Sequence, residues 1–190
     1  MAKEQPQIYQ IKITLTDSKP PIWRRLLVSS ATTLYQLHQI IQTVMPWEDA
    51  HLHMFEVNGS RYSYPYEPGA LAELDMKDER RVPLHKIVSG EKFKFVYEYD
   101  FGDSWYHDIL VEKILPFDPG QKLPLCIKGK RACPPDDSGG IWSYPYFLEA
   151  LQDPNHPDHE MYMEWMGEEP FDPEAFDLDA INTRLQGSIR

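Results

Sequence analysis

Between Ile8 and Tyr64 the hydrophobic spacing switches from strand-like to helical and back again, and that switch constrains the fold more than any other feature of the chain. Ile8, Ile11, Ile13 and Leu15 recur in near-alternation. After Asp17-Ser18-Lys19-Pro20-Pro21 the run from Ile22 to Val28 repeats the strand character, so a first hairpin is expected. Thr33 followed by Gln36 is a capping-box pattern, after which Leu34, Leu37, Ile40, Ile41 and Val44 keep helical spacing until Pro46. His51 to Val57 and Ser60 to Tyr64 then read as strands joined by Asn58-Gly59, residues that tolerate positive φ. Strand, strand, helix, strand, strand is a β-grasp-like order, with the helix laid across one sheet face, and the expected class is α+β.

Residues 65–90 mix proline, glycine and both charge signs, and read as an exposed excursion ending in a short helical turn near Leu84 to Val88. In the segment 92–113, Phe93, Phe95, Tyr97 and Tyr99 share one strand face. Trp105, His107, Ile109 and Val111 alternate in a returning strand across the turn from Asp100 to Ser104. This second hairpin is expected to extend the sheet. Residues 116–135 read as a long proline-punctuated connection, followed by helices near 144–151, 157–166 and 178–186, with Gly167 and Gly187 as stops. The expected organisation is a sheet domain over 1–131 and an acidic helical cover over 132–190, packed together as one folding unit.

That boundary is also electrostatic. Up to Arg131 the chain has 17 Lys/Arg against 17 Asp/Glu, whereas from Ala132 onward it has 2 against 13, so the net charge of -11 lies in the last third. The junction itself, Arg131 to Gly140, packs a thiol, Pro134-Pro135, the paired carboxylates Asp136 and Asp137, and Gly139-Gly140 into ten residues. No apolar run approaches the roughly 20 residues of a membrane span. The start of the chain lacks the basic and then apolar pattern of a secretion signal, so no membrane partner and a cytoplasmic location are expected. In a reducing compartment Cys126 and Cys133 are expected as free thiols or metal ligands rather than a disulfide.

Tyr97-Glu-Tyr-Asp-Phe-Gly-Asp-Ser-Trp-Tyr-His107, Ala132-Cys-Pro-Pro-Asp-Asp-Ser-Gly-Gly140 and Phe171-Asp-Pro-Glu-Ala-Phe-Asp177 together resemble the plasmid pRiA ORF-three-like family, also described as passenger proteins of an insertion sequence. The resemblance spans Ile8 to Leu185 and implies a mobile-element association without implying a mechanism. Where many relatives have a further cysteine just after the acidic pair, this chain has Ser138, which counts against a cysteine-based metal site.

Asp100-Phe101-Gly102 invites a phosphoryl-transfer reading, but no glycine-rich phosphate loop or catalytic-loop motif accompanies it, and the triplet falls in a hairpin turn. Asp100 and Asp103 are expected to bond local amides there, with a ligand contact by Asp103 and His107 as the alternative. Zinc needs about four ligands. Cys126 and Cys133, or His156 and His159 at helical spacing, are weak candidates, so no cofactor is expected, zinc being the one to consider. Lys128, Lys130 and Arg131 are expected to pair with the acidic tail. Three functions are open. The first is a non-catalytic binding or adaptor module that holds a protein or peptide partner rather than nucleic acid, with Tyr97, Tyr99, Trp105, Asp137 and Trp142 as binding residues. The second is a small metal-assisted hydrolase or transferase using Asp103, His107, Cys133 and Asp136, and the third is a DNA-transaction accessory. An acidic chain with pI near 5.0 lacks the broad basic surface that duplex binding needs.

Overall fold

Eight strands form one sheet in the computed structural model, which describes residues 6–167 and 171–188. Residues 1–5, which bear on a secretion signal, lie outside that range. β1 (Ile8–Leu15) and β2 (Trp23–Ser29) make the first hairpin, and α1 (Leu34–Val44) follows. β3 (His53–Val57) and β4 (Ser60–Ser63) pair around Asn58 and Gly59, both at positive φ as the turn requires. A one-turn helix α2 (Ala70–Glu73) and β5 (Met76–Asp78) lie within the stretch read as irregular. β6 (Lys94–Tyr99), β7 (Trp105–Leu115) and β8 (Leu125–Lys130) complete the sheet. The helices α3 (Gly140–Gln152), α4 (His159–Met166) and α5 (Leu178–Ser188) close the chain. The fold is α+β, with a mixed sheet in the order β5-β4-β3-β6-β7-β1-β2-β8, antiparallel except where β5 runs parallel to β4.

The hairpin of 92–113 extends the sheet from its middle. β6 pairs with β3 and β7 with β1, so the two earlier hairpins are held apart, and the β-grasp-like strand order is not confirmed. Burial gives the reason: Phe95, Tyr97, Tyr99, Trp105, His107, Ile109 and Val111 present the bulkiest inward face of the sheet, and such a face is best covered at the centre. β8 is the other departure, because residues 116–135 had read as a connection. It starts directly after Pro124 and pairs only with β2, an edge position that a proline-flanked strand can occupy. Its outer side is capped by Asn182, whose amide accepts from the Cys126 N–H and donates to the Cys126 carbonyl, both at 2.9 Å.

One sheet face carries the core. Ile11, Ile13 and Leu15 of β1, Leu26 and Val28 of β2, and the β6 and β7 residues above pack under Leu34, Leu37, Ile40, Ile41 and Val44 of α1. The capping box that starts α1 is present: Thr33 Oγ1 accepts from the Gln36 N–H at 3.2 Å, and Gln36 Oε1 accepts from the Thr33 N–H at 2.9 Å. Tyr144, Phe147, Ile181 and Leu185 from the C-terminal helices join the same core. α3 begins four residues before the expected Tyr144 because Gly139 and Gly140, at φ 89 and 78, turn the chain straight into it. α4 starts at His159 rather than Pro157. The opposite sheet face is open and polar, with Lys12, Arg25 and Glu112 along it. Among the described residues no helix is long and apolar enough to cross a membrane.

Candidate functional site

Three segments meet beyond the C-terminal end of β6: the loop from Met45 to Leu52, the turn from Asp100 to Ser104, and the junction from Cys133 to Gly140. Asp100 follows β6 at φ 55, its N–H donates to the Leu52 carbonyl at 2.9 Å, and its Oδ1 accepts from the Gly102 N–H at 2.8 Å. The expected local turn role of Asp100 is therefore present. Asp103 does something else, since its Oδ2 accepts from the Gly139 N–H at 2.9 Å and so ties the turn to the junction. The approach is close: a Cβ on Gly140 would lie 2.5 Å from the Asp103 carbonyl oxygen, and only glycine fits there. Trp47 binds the junction from the other side, donating its indole N–H to the Pro134 carbonyl at 2.9 Å.

On this frame sit His51, Asp100, Asp136 and Asp137. His51 Nε2 lies 3.2 Å from Asp137 Oδ1 and 3.8 Å from Asp100 Oδ2, and one ligand atom from each of the three falls within 4.8 Å of the others. Although Asp137 is within ion-pair distance, the His51 nitrogen is buried and not aligned for a hydrogen bond with any described group. Asp136 Oδ2 accepts from the Glu48 N–H at 3.2 Å and from the Tyr99 hydroxyl at 3.4 Å. Burial pushes the Asp136 carboxyl up, opposed by the Glu48 amide and the His51 imidazole. Burial and the neighbouring Asp136 also raise the Tyr99 hydroxyl, keeping it a neutral donor.

The other sequence-derived residues lie beneath this surface or away from it. Tyr97, Tyr99, Trp105 and His107 are fully buried, with Trp47 stacked on Tyr99 at 4.9 Å and edge-on to His107 at 5.2 Å. His107 Nδ1 is 2.9 Å from the Trp105 carbonyl, so that nitrogen carries the proton, and burial lowers the imidazole to about 3. Cys133 Sγ packs 3.6 Å from Met45 Sδ, and burial pushes the thiol up to about 12, far from a nucleophilic thiolate. Asp103 and Asp136 are thus both half-buried, held by Gly139 and by Glu48 with Tyr99 respectively, while His107 and Cys133 sit in the core below.

Cys126 is buried under α5. His159 Nδ1 bonds the Ala150 carbonyl at 2.8 Å, fastening α4 to α3, and His156 Nδ1 accepts from the Asp158 N–H at 3.1 Å. Among the described residues neither belongs to a group of three or more metal-competent ligands. Of the basic cluster, Arg131 does pair with the tail through Glu174 at 2.7 Å, while Lys128 and Lys130 make no ion pair among the described residues. Trp142 is 82% exposed. It is not among the residues that line an open cleft of about 320 Å³, which are Asp137, Ser138, Gly139, Ser143, Met161, Tyr162 and Trp165.

A second histidine group escaped sequence reading. His38 of α1 and His53 of β3 stack with ring centres 3.4 Å apart, and both are buried. His38 bonds Tyr97 through Nδ1 and Asp49 through Nε2, each at 2.8 Å. His53 Nε2 lies 2.9 Å from Glu79 Oε1, and its Nδ1 lies 3.0 Å from the Tyr66 hydroxyl. Burial lowers His53 to about 4 and raises Glu79 to about 7, so the imidazole is neutral and the carboxyl is the proton-seeking partner. The signals were present: His38 falls on the buried stripe of α1, and His53 alternates with Phe55 and Val57. Glu79 gave none, standing between charged neighbours in a stretch that read as solvated.

The chain is similar to proteins of wide origin. It is 35% identical over 176 residues to the uncharacterized protein y4hQ of Sinorhizobium fredii, covering 92% of this chain and 89% of that one. A crystal structure of a protein of unknown function, MM3350 from Methanosarcina mazei Go1, superposes with a TM-score of 0.81 at 37% identity, covering 92% of this chain and 97% of that one. The sequence profile of the plasmid pRiA4b ORF-3-like proteins matches residues 7–180, and the chain belongs to that family.

Proposed function

We propose that this protein is a non-catalytic binding module that holds a peptide segment of a protein partner in the cleft beside Asp137. The observation that carries the reading is the company of that cleft: Met161 and Trp165 are 53% and 46% exposed, and they border the carboxylate of Asp137 on an acidic helical cover. An exposed tryptophan and methionine beside the Asp137 carboxylate suit an apolar segment bearing Lys or Arg. The groups a hydrolase would use as base and nucleophile, His107 and Cys133, are buried and held in their neutral forms, which favours binding over catalysis. The test is a fluorescence-polarisation screen of a positional peptide library. Selection of basic and aromatic positions, lost in Trp165→Ala, supports the reading; an unselective profile, or one unchanged in that variant, contradicts it.

One observation favours a second reading as a DNA-transaction accessory. On the open sheet face Lys12 and Arg25 lie over the Trp23 ring at 4.9 and 5.1 Å, and Lys130 and Lys128 are the cross-strand neighbours of Trp23 and Arg25. This basic patch is small, and Arg25 is partly neutralised by Glu112 at 2.6 Å. Arg24, adjacent in sequence, is buried against the Val44 carbonyl and contributes nothing to it. Duplex binding that falls steeply with salt and is lost in Lys128→Ala/Lys130→Ala supports this reading, and no binding at low salt rejects it.

A further inference from the structure

The structure assigns a divalent transition-metal site to His51, Asp100 and Asp137, on the surface where the three segments meet. Three observations lead to it. First, the donor atoms converge from three separate parts of the chain, with His51 Nε2 at 3.2 Å from Asp137 Oδ1 and 3.8 Å from Asp100 Oδ2. Ligands that share one ion at bond lengths of about 2.0–2.2 Å stand roughly 3.0–3.5 Å apart, so the His51–Asp137 separation already suits an ion and the His51–Asp100 separation exceeds that range by only a few tenths of an ångström. Second, His51 Nε2 is buried and has no aligned hydrogen-bond partner among the described residues. A buried imidazole nitrogen normally finds one, and an ion between it and the two carboxylates supplies what the hydrogen bonds do not. Third, the frame already orients Asp100. Gly102 N–H holds its Oδ1 at 2.8 Å and leaves Oδ2 turned toward His51, the arrangement in which an outer hydrogen bond fixes a ligating carboxylate.

One imidazole with two carboxylates suits Mn²⁺ or Zn²⁺ better than Ca²⁺, which takes oxygen ligands alone. The remaining positions fall to water, because Asp137 is largely exposed. The stacked pair His38 and His53 is the competing location, since with Asp49 it also offers three donor atoms within 4.8 Å. Its geometry is poorer. Two imidazoles stacked 4° from parallel at 3.4 Å point their in-plane lone pairs alongside one another rather than at a common point. Their nitrogens are, in addition, each already matched to a carboxylate or a tyrosine hydroxyl.

The site shares Asp137 with the proposed peptide cleft but has its own readout, metal binding in the absence of any peptide. Metal-stripped full-length protein is titrated with MnCl₂, ZnCl₂ and CaCl₂ by calorimetry, with far-UV circular dichroism checking that each variant is folded. One equivalent of Mn²⁺ or Zn²⁺ is expected to bind, more tightly than Ca²⁺. His51→Gln and Asp137→Asn should each weaken it by at least about tenfold, and Asp49→Asn should leave it unchanged. Asp100→Asn keeps the acceptor for Gly102 and tests the third ligand without unfolding the turn. No saturable binding by the wild type, equal binding by the folded His51→Gln/Asp137→Asn double variant, or loss confined to Asp49→Asn would overturn the assignment.

Discussion

The Asp103 carboxylate accepts a hydrogen bond from the Gly139 amide at 2.9 Å, joining a hairpin turn to the start of a helix 36 residues further along the chain. This contact explains why a turn and a glycine pair are built as they are. It also fixes Asp136 and Asp137, three and two residues before Gly139, against Tyr99 and His51.

Gly140→Ala should destabilise the protein more than Gly139→Ala. Both positions have positive φ, which costs an L-residue about 1–2 kcal/mol. At Gly140 the new methyl would also meet the Asp103 backbone at 2.5 Å, whereas at Gly139 it meets only the Ser143 side chain at 3.1 Å. Urea denaturation should show a loss of about 2 kcal/mol or more for the first and about 1 kcal/mol for the second. Equal losses would mean that the turn gives way easily.

Trp105→Ala and Trp142→Ala separate a core ring from a surface ring. Trp105 is fully buried against Trp47, so its truncation should cost about 3–5 kcal/mol. Trp142 is 82% exposed, and its truncation should change stability by less than about 0.5 kcal/mol. A near-neutral Trp105→Ala would contradict the packing described.

Stability should depend on pH through the buried histidines and Glu79. His107 and His53, held at about 3 and about 4 in the fold, take up protons more readily once unfolded, so each removes stability as pH falls below the ordinary histidine value. Glu79, raised to about 7, acts oppositely: the fold binds its proton more tightly, adding stability as pH falls from there toward the ordinary carboxyl value. Each uncompensated proton contributes a slope of about 1.4 kcal/mol per pH unit. Chemical denaturation across roughly pH 7 to 4.5 should therefore show a flatter acid limb for His107→Phe and a steeper one for Glu79→Gln. An unchanged limb in both variants would mean that these groups do not control it.

The cysteines should be silent toward a thiol reagent in the native state. Burial raises both, Cys133 to about 12, and shields their sulfurs. Ellman's reagent should modify neither in folded protein within minutes and both in denaturant; rapid native labelling of Cys133 would show that the junction opens.

Hydrophobic spacing and stop signals revealed β1 to β4, α1, the β6–β7 hairpin and the three C-terminal helices. They could not place that hairpin at the centre of the sheet, because pairing partners depend on faces that meet only in three dimensions. β8 was hidden by its flanking prolines, and its edge position removes the need for alternation on both sides. At the site, the junction and the Asp100–Ser104 turn were each legible from their turn chemistry, but the bond from Gly139 to Asp103 that joins them was not. His51, Asp49 and Glu79 were not, since a loop residue becomes functional only through neighbours distant in sequence.

The five tryptophans, some buried and some exposed, allow the central claim to be tested in one measurement. Indole ¹H–¹⁵N resonances are assigned by single substitution and followed while an aromatic, lysine-containing peptide is added. Binding in the cleft beside Asp137 predicts that Trp165, the one tryptophan lining it, shifts most, while Trp23, Trp47 and Trp105 stay in place. Shifts confined to Trp23 on the basic open face, or no saturable shift at Trp165, would contradict the account.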